Sequence, residues 1–293
     1  MADAVIIQTA ARRRRFANLF ANPKVLFGGG FILLLVLLAF FAPWIAPKDP
    51  LEQDLMLGTL PPAGFPGAEP GYYLGTDDLG RDVLSRLVYG SRVALTVAFV
   101  AASLAALVGA MLGLLAGWYG GWVDAVVSRL VDIWMAFPPV LLSILLVAIL
   151  GSGVHSVIAA IVIIDWTRFC RVVRAETMTQ ASMDYVTAAR TIGFSRFTIL
   201  MREILPNVAP VLIALVSLEM GIAVIVEAIL SFVGLSVASD IPTWGGMIAQ
   251  GRQIIHHGWW VLTFPLLMLF ATVLAFNQLG DGLRRVIDPV MRR

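Results

Sequence analysis

The chain has 293 residues, of which 59% are hydrophobic and only 14% are charged. An ordinary soluble domain has about 25% charged residues, and a disordered chain needs low hydrophobicity and high charge. The apolar content exceeds what one soluble core can bury, so the composition predicts a polytopic membrane protein. The net charge of +2 is too balanced for a protein that binds nucleic acid.

Six apolar segments each approach the roughly 20 residues with which an α-helix crosses a bilayer. The predicted fold is therefore an all-α membrane protein with six transmembrane helices. A short Gly-Ser-Gly turn at 151–153 separates the third span from the fourth. The spans are predicted at about residues 25–45, 92–116, 130–150, 154–172, 208–232 and 259–279.

The distribution of basic residues predicts the orientation, because Lys and Arg favour the cytoplasmic side of a membrane. With a cytoplasmic N-terminus, 16 of the 21 basic residues lie inside. Both termini are therefore predicted to be cytoplasmic, as tails over 1–24 and 282–293. A cleaved signal peptide is the alternative for the first span, but prolines crowd any cleavage site, so we expect an uncleaved anchor. The basic residues left outside are Lys48, Arg81, Arg86, Arg92 and Arg252.

The predicted outer loop covers residues 46–91. Its 57–75 stretch is rich in Pro and Gly and is expected to be irregular. Residues 77–90 are predicted to form a separate short helix, outside the membrane or at its surface. Either Asp77 or Asp78 would cap this helix, and apolar residues follow at a spacing of four.

Small residues recur at every fourth position of the second predicted span. Such spacing lets a second helix approach closely and gain van der Waals contact, which lipid alone does not drive. The sequence therefore predicts a tight helix–helix seam, either within the chain or with a second subunit. The small residues are Ala101, Ala105, Gly109, Gly113, Gly117 and Gly121.

The polar segment at about 173–207 follows a membrane helix and is predicted to be cytoplasmic. Asp184 to Arg190 is predicted to be a short helix that stops at Gly193, and a second helix would run from about 195 to 205, where Pro206 ends it. Ala188 and Ala189 would permit close approach of a partner. The residues alone leave two interpretations open: a docking element for a cytoplasmic partner, or an ordinary solvated loop.

No motif for catalysis or metal binding stands out. A phosphate-binding P-loop needs Gly-Lys-Ser/Thr, whereas Lys24 and Lys48, the only two lysines, each follow a proline. Any ATP-driven transport would therefore need a separate ATPase. The single cysteine, Cys170, excludes an internal disulfide. We assign no catalytic residues, no metal ligands and no cofactor to the chain.

Three acidic residues lie in or near apolar spans, where a charge is costly and usually faces protein or water. Asp165 precedes Arg168 by three residues, so it either forms an intrahelical pair or lines a cavity. Glu219 has no basic residue nearby in the sequence and either lines a cavity or makes a structural hydrogen bond. Glu227 is interpreted as structural.

The polar segment resembles the EAA loop of bacterial ABC importer permeases. That pattern is Glu-Ala-Ala, three residues, Gly, nine residues, Ile, any residue and Leu-Pro. Ala188, Ala189, Gly193, Leu205 and Pro206 match it, while Thr187 stands in place of Glu and Glu203 in place of Ile. The flanking Asp184-Tyr185-Val186 and Arg190 are typical of the dipeptide/oligopeptide/nickel branch, where the leading Glu is often absent.

Further segments resemble the same branch, so that the resemblance covers about residues 25–290. The long outer loop after the first helix is similar to that of the C-type permease of the pair. The matching segments are Leu74 to Arg86, Gly120 to Asp124, Leu230 to Leu235, Pro242 to Gly245, and Asn277 to Arg284 followed by Asp288-Pro289.

The resemblance implies a permease subunit with the type I ABC importer fold in a bacterial inner membrane. The permease domain would cover 92–281, with five helices and the loop at 173–207. The implied partners are a homologous B-type permease, two ATPase subunits that hold ATP and Mg, and an extracytoplasmic binding protein. The expected cargo is a di- or oligopeptide, and nickel chelates, opines or sugars are alternatives.

Two functions of other classes remain alternatives. An ion-driven secondary transporter or channel would use Asp165 and Glu219 as proton or cation sites without an ATPase. An intramembrane enzyme would need a catalytic set, and none is visible.

Overall fold

The structure is a computed structural model that describes residues 22–236 and 241–287. The predicted tails, including Arg12 to Arg15, lie mostly outside the described residues. The described residues are helical and contain no β-strand, as the composition predicts. The helices are α1 (Pro23–Phe40), α2 (Ala42–Ile45), α3 (Val83–Tyr119), α4 (Gly121–Met135), α5 (Pro139–Leu150), α6 (Val154–Ala181), α7 (Asp184–Thr191), α8 (Arg196–Ile199), α9 (Leu205–Phe232), α10 (Trp244–Gln253) and α11 (Trp259–Ile287), with a short 3-10 helix at Leu55–Leu57 and a π-helical turn at Leu200–Ile204.

Four helical stretches within the described residues are long and apolar enough to cross a membrane: α1, α3, the continuous stretch from α8 through α9, and α11. The bent pair of α4 and α5 would make a fifth. The predicted fourth span lies inside α6, but the first eighteen residues of α6 include Asp165, Arg168 and Arg171. Because of these charges, α6 is too polar to be identified as a membrane-spanning helix by composition alone.

The predicted third span, 130–150, is wrong as a single straight helix. The structure has α4 and α5 there, bent by 87° at a break of a few residues. Pro138 and Pro139 cause the break, because proline lacks an N–H donor and restricts the residue before it to extended conformations. Pro138 is extended, with φ −60° and ψ 120°, and Pro139 begins α5.

The predicted separate helix at 77–90 is also wrong. The helix starts at Val83 and continues without a break to Tyr119, and Asp82 caps it by accepting a hydrogen bond from the Ser85 N–H. Asp77 does not cap a helix, because its carboxylate accepts the N–H groups of Leu79 and Arg81 in a tight turn. No residue interrupts the helical hydrogen bonding beyond Val83, so the outer segment and the membrane span form one helix.

Asp77 is the centre of the outer loop. It is 1% exposed and pairs with two buried arginines: Arg81 Nε donates to it at 2.8 Å, and Arg86 Nη1 also donates to it. The loop is tied to the C-terminal half of the chain where Trp260 Nε1 donates to the Thr76 carbonyl at 2.9 Å. The outer segment Leu74 to Arg86, which resembles the permease branch, thus contains a buried ionic cluster that fixes the start of α3.

α3 lies at the centre of the fold and packs against α1, α6 and α9. Its small residues face α6. An added Cβ at Gly113 would lie 2.7 Å from the Cys170 carbonyl, and one at Gly117 would lie 2.7 Å from the Arg174 carbonyl. Gly109 faces the Trp166 carbonyl in the same way. The seam is therefore internal to the chain, with backbone against backbone.

Gly121 is an exception to the predicted seam. α3 ends at Tyr119, Gly121 has φ +54°, and an added Cβ there would meet nothing within 4 Å. The four-residue spacing of small residues continues to Gly121 in the sequence. The helix ends before Gly121, however, so this residue does not lie on the face that contacts α6.

We expect Asp77→Asn to lower the free energy of unfolding by about 3–5 kcal/mol, because it leaves two buried guanidinium groups without a counterion. The neighbouring Asp78 is exposed, so Asp78→Asn is the matched control and should change stability by at most about 0.5 kcal/mol. Thermal unfolding of the purified protein distinguishes the two. Equal effects would contradict the assigned role of Asp77.

We expect Gly113→Ala to destabilise the protein by about 1–3 kcal/mol, because the added methyl group meets backbone atoms that cannot move aside independently. Gly30→Ala is the control, since no atom lies within 4 Å of an added Cβ in α1. Thermal melting curves of both variants would be compared with the parent protein. A loss for Gly30→Ala as large as that for Gly113→Ala would show that the seam is not the cause.

Candidate functional site

The polar segment after α6 folds as a short helix, a glycine turn and the start of a long helix. α7 spans Asp184–Thr191, as the sequence predicts within one residue. Gly193 follows with φ +94°, a conformation that L-residues with a Cβ rarely adopt. Its N–H donates to the Arg190 carbonyl at 3.0 Å, and the Phe194 N–H donates to the Ala189 carbonyl at 3.1 Å.

One face of α7 is fixed to the body of the protein. Val186 and Ala189 are buried in a cluster with residues of α3, α6 and α9. Tyr185 donates from its hydroxyl to Gln180 Oε1 at 2.7 Å, and the Arg190 guanidinium lies 5.0 Å from the ring centre of Trp118 at the end of α3. Burial raises the pKa of the Tyr185 phenol, which is consistent with its hydroxyl acting as the hydrogen-bond donor.

The opposite face of α7 and the turn after it are open to solvent. Asp184, Thr187 and Ala188 are exposed there, whereas the exposed Arg190 lies toward Trp118. Three apolar side chains are also exposed around the glycine: Ile192 at 74%, Phe194 at 47% and Phe197 at 64%. Ala189 points inward, so of the two predicted alanines only Ala188 is available to a partner.

The predicted helix from about 195 begins as expected, but its predicted end at Pro206 is wrong. Ser195 caps α8, a π-helical turn follows at Leu200–Ile204, and α9 continues from Leu205. Pro206 directly follows the π-helical turn and has no N–H to donate, so one helical hydrogen bond is missing there. Leu205 and Pro206 are nevertheless part of one continuous helical stretch from α8 to the end of α9.

A row of three arginines on α6 joins it to its neighbours. Arg174 pairs with Asp124 at the start of α4, with one N–O distance of 2.7 Å. Arg171 pairs with Asp132, which is also on α4, at 3.3 Å, and Arg168 pairs with Glu219 on α9 at 3.4 Å. The sequence alone does not predict these pairs, because each joins residues that are distant along the chain. The sequence does contain one indication of them: the three arginines are spaced three residues apart, which places them next to each other on one helix face.

A cavity of about 230 Å³ lies where α5, α6 and α9 meet, next to the break before α5. Its walls are mostly Ile and Val, with Ser143, Asp165 and Arg168 as polar groups. Asp165 lines the cavity and is 5% exposed. Glu219 does not line it, but it binds Arg168, which does. Arg168 therefore pairs with Glu219 across two helices, and the predicted Asp165–Arg168 intrahelical pair does not form.

The other predicted residues have structural surroundings. Glu227 is buried and accepts a hydrogen bond from Ser231 at 2.6 Å. Cys170 is buried against the seam. Within the described residues, no group of His, Cys, Asp and Glu is arranged to hold a metal ion.

Comparison with known families defines the class of protein. Residues 109–293 match the family described as binding-protein-dependent transport system inner membrane component, and residues 12–62 match the N-terminal transmembrane domain of oligopeptide transport permease C. The chain belongs to this family of ABC importer permeases. It is a multi-pass inner membrane protein of the dipeptide/oligopeptide/nickel branch.

Individual relatives agree with this assignment. The chain is 40% identical to the di/tripeptide transport permease DppC of Pseudomonas aeruginosa, over 95% of this chain and 92% of the relative. It is 43% identical to the dipeptide permease DppC of Escherichia coli K12, over 93% and 91%. It is 38% identical to the glutathione permease GsiD of Pectobacterium atrosepticum, over 95% and 91%.

Solved structures share the fold. The inward-facing MetNI methionine ABC transporter superposes with a TM-score of 0.59 at 20% identity, over 70% of this chain and 97% of that one. An amino acid ABC transporter gives 0.54 at 16% identity, over 69% and 94%. The fold is therefore that of ABC importer permeases, and the chain acts as a permease subunit of an ABC importer.

Proposed function

We propose that this permease forms half of a translocation path for di- and oligopeptides. The observation that carries the proposal is the identity of 38–43% to permeases whose names specify dipeptides, di/tripeptides and glutathione, across nearly the whole chain. All three of those cargoes are small peptides. Nickel chelates, opines and sugars remain the alternatives within the branch.

We propose a B-type permease, two ATPase subunits and an extracytoplasmic binding protein as the other components of the importer. ATP and Mg then bind on the ATPase subunits, and this chain holds no cofactor. A separate motor is supported by the sequence, in which neither lysine follows glycine as a P-loop requires. The chain crosses the membrane six times with both termini in the cytoplasm, α4 with α5 forming one span and α6 another.

The segment 173–207 is the proposed contact with the ATPase. The coupling residues are Asp184, Tyr185, Thr187, Ala188, Ala189, Arg190, Gly193, Leu205 and Pro206. Two features support this role. The inner face of α7 is locked to α3 and α6, so the helix can transmit force without deforming locally. The outer face presents Ala188 beside exposed Ile192, Phe194 and Phe197, an apolar surface that suits a protein partner.

We expect Gly193→Val to abolish peptide uptake and the stimulation of ATP hydrolysis by loaded binding protein, because a β-branched residue cannot easily adopt φ +94°. The measurement uses the complete importer in proteoliposomes, with a labelled dipeptide on the binding protein. In the parent importer, unlabelled dipeptide should compete for uptake, whereas nickel chelates and sugars should not.

Gly64→Val is the matched control for this variant. Gly64 has φ +95° in the outer loop, and like Gly193 it has nothing within 4 Å of an added Cβ. The local strain is therefore the same, but coupling should persist. Undiminished uptake with Gly193→Val would refute the proposed coupling role, and uptake without any ATPase would favour an ion-driven secondary transporter.

The topology predicts opposite accessibility for two exposed alanines, Ala63 in the outer loop and Ala188 in α7. Since Cys170 is the only cysteine and is buried, single substitutions Ala63→Cys and Ala188→Cys give clean labelling sites. A membrane-impermeant maleimide should label the first in intact spheroplasts and the second only after the membrane is opened. Labelling of both in intact spheroplasts would rule out the six-span arrangement.

A further inference from the structure

The cavity between α5, α6 and α9 has the composition of a ligand site. Its walls are apolar, and a few polar groups converge on it, as in most small-molecule sites. Its volume of about 230 Å³ is below the roughly 300–1,000 Å³ of sites that enclose a drug-sized ligand. The space therefore suits one end of a small peptide and not a whole one.

The charges around this cavity do not balance. Arg168 is neutralised by Glu219, whose carboxylate oxygens both lie 3.4 Å from Arg168 Nη1. Asp165 is 5% exposed and, among the described residues, its carboxylate makes no hydrogen bond, because the nearby Arg168 attracts it but donates to Glu219 instead. A buried charge in a membrane protein is costly unless a partner or water meets it. Two carboxylates therefore share one guanidinium here, so one of them has no cation of its own.

The location of the cavity is consistent with transport. It adjoins the break between α4 and α5, and in other transporters interrupted helices commonly form substrate sites within the membrane. It also adjoins Arg168, whose partner lies on α9, the helix that continues from the proposed coupling segment. A ligand bound here therefore lies against an element that α7 can move.

We propose that Asp165 binds the N-terminal ammonium group of the peptide cargo, so that this cavity selects peptides with a free amino terminus. A peptide ammonium supplies the missing positive charge and three hydrogen-bond donors, and Asp165 supplies acceptors only. The small apolar cavity then encloses the first side chain. The inference rests on the proposed function, since it takes the cargo to be a peptide.

The test measures direct peptide binding by the complete importer in nanodiscs without its binding protein. The probes are the dipeptide Ala-Ala, its N-acetyl derivative and its C-terminal amide. The parent importer should bind Ala-Ala and the amide at least about tenfold more tightly than the N-acetyl derivative. With Asp165→Asn, the affinities for Ala-Ala and its amide should fall to that of the N-acetyl derivative. The affinity for the N-acetyl derivative should not change.

Two further variants separate charge from structure. Asp165→Glu keeps the carboxylate and should retain the preference for a free amino terminus. Asp132→Asn removes an aspartate whose side chain is 59% exposed in its pair with Arg171, and it should behave as the parent protein. Co-purification of the ATPase subunits and the partner permease verifies that each variant assembles.

Several outcomes would overturn the inference. One is equal binding of N-acetylated and free peptides by the parent importer. Another is an unchanged preference for a free amino terminus with Asp165→Asn. The third is a loss of this preference with Asp165→Glu that is as large as the loss with Asp165→Asn. A sodium or potassium requirement that only Asp165→Asn removes would assign the site to an inorganic cation instead. Uptake from loaded binding protein is measured in parallel. Its absence in the parent importer would refute the proposed function, whereas uptake without amine selectivity would refute only this inference.

Discussion

The close contact between α3 and α6 is the constraint on which the rest of the structure depends. Gly109, Gly113 and Gly117 bring the two backbones together without intervening side chains. Lipid is as apolar as the helix surfaces, so association must come from such close packing and from polar contacts. The seam fixes the rotation of α6, which directs Arg168 toward α9 and Arg174 toward α4.

Polar contacts add to the close packing of α3 and α6 in holding the helices in place. The arginine row of α6 and the Asp77 cluster of the outer loop use the same device, a charged side chain satisfied by a distant part of the chain. In the outer cluster one carboxylate serves two guanidinium groups, and on α6 each of the three arginines binds a different acid. Such pairs contribute little net stability when formed but cost much when broken, so they specify one arrangement of the helices.

Local patterns predicted much of the fold and of the coupling segment, and long-range contacts account for the rest. Apolar run length located the helices, and α7 was predicted almost to the residue because Gly193 marks its end. The bend at Pro138 was missed because an apolar run has the same hydropathy whether straight or broken. The partner of Glu219 was missed because Arg168 lies 51 residues away in sequence, and only packing brings them together.

The π-helical turn at Leu200–Ile204 has a mechanical consequence. Although Pro206 and Pro210 lack N–H donors, the 37 residues from Arg196 to Phe232 form one continuous helical stretch. At 1.5 Å per residue this stretch is about 55 Å long. A tilt of about 5° about one end would displace the other end by about 5 Å, close to one helical turn. If the stretch moves as one body, a small rotation applied beside α8 is thus amplified into a large displacement at the opposite surface.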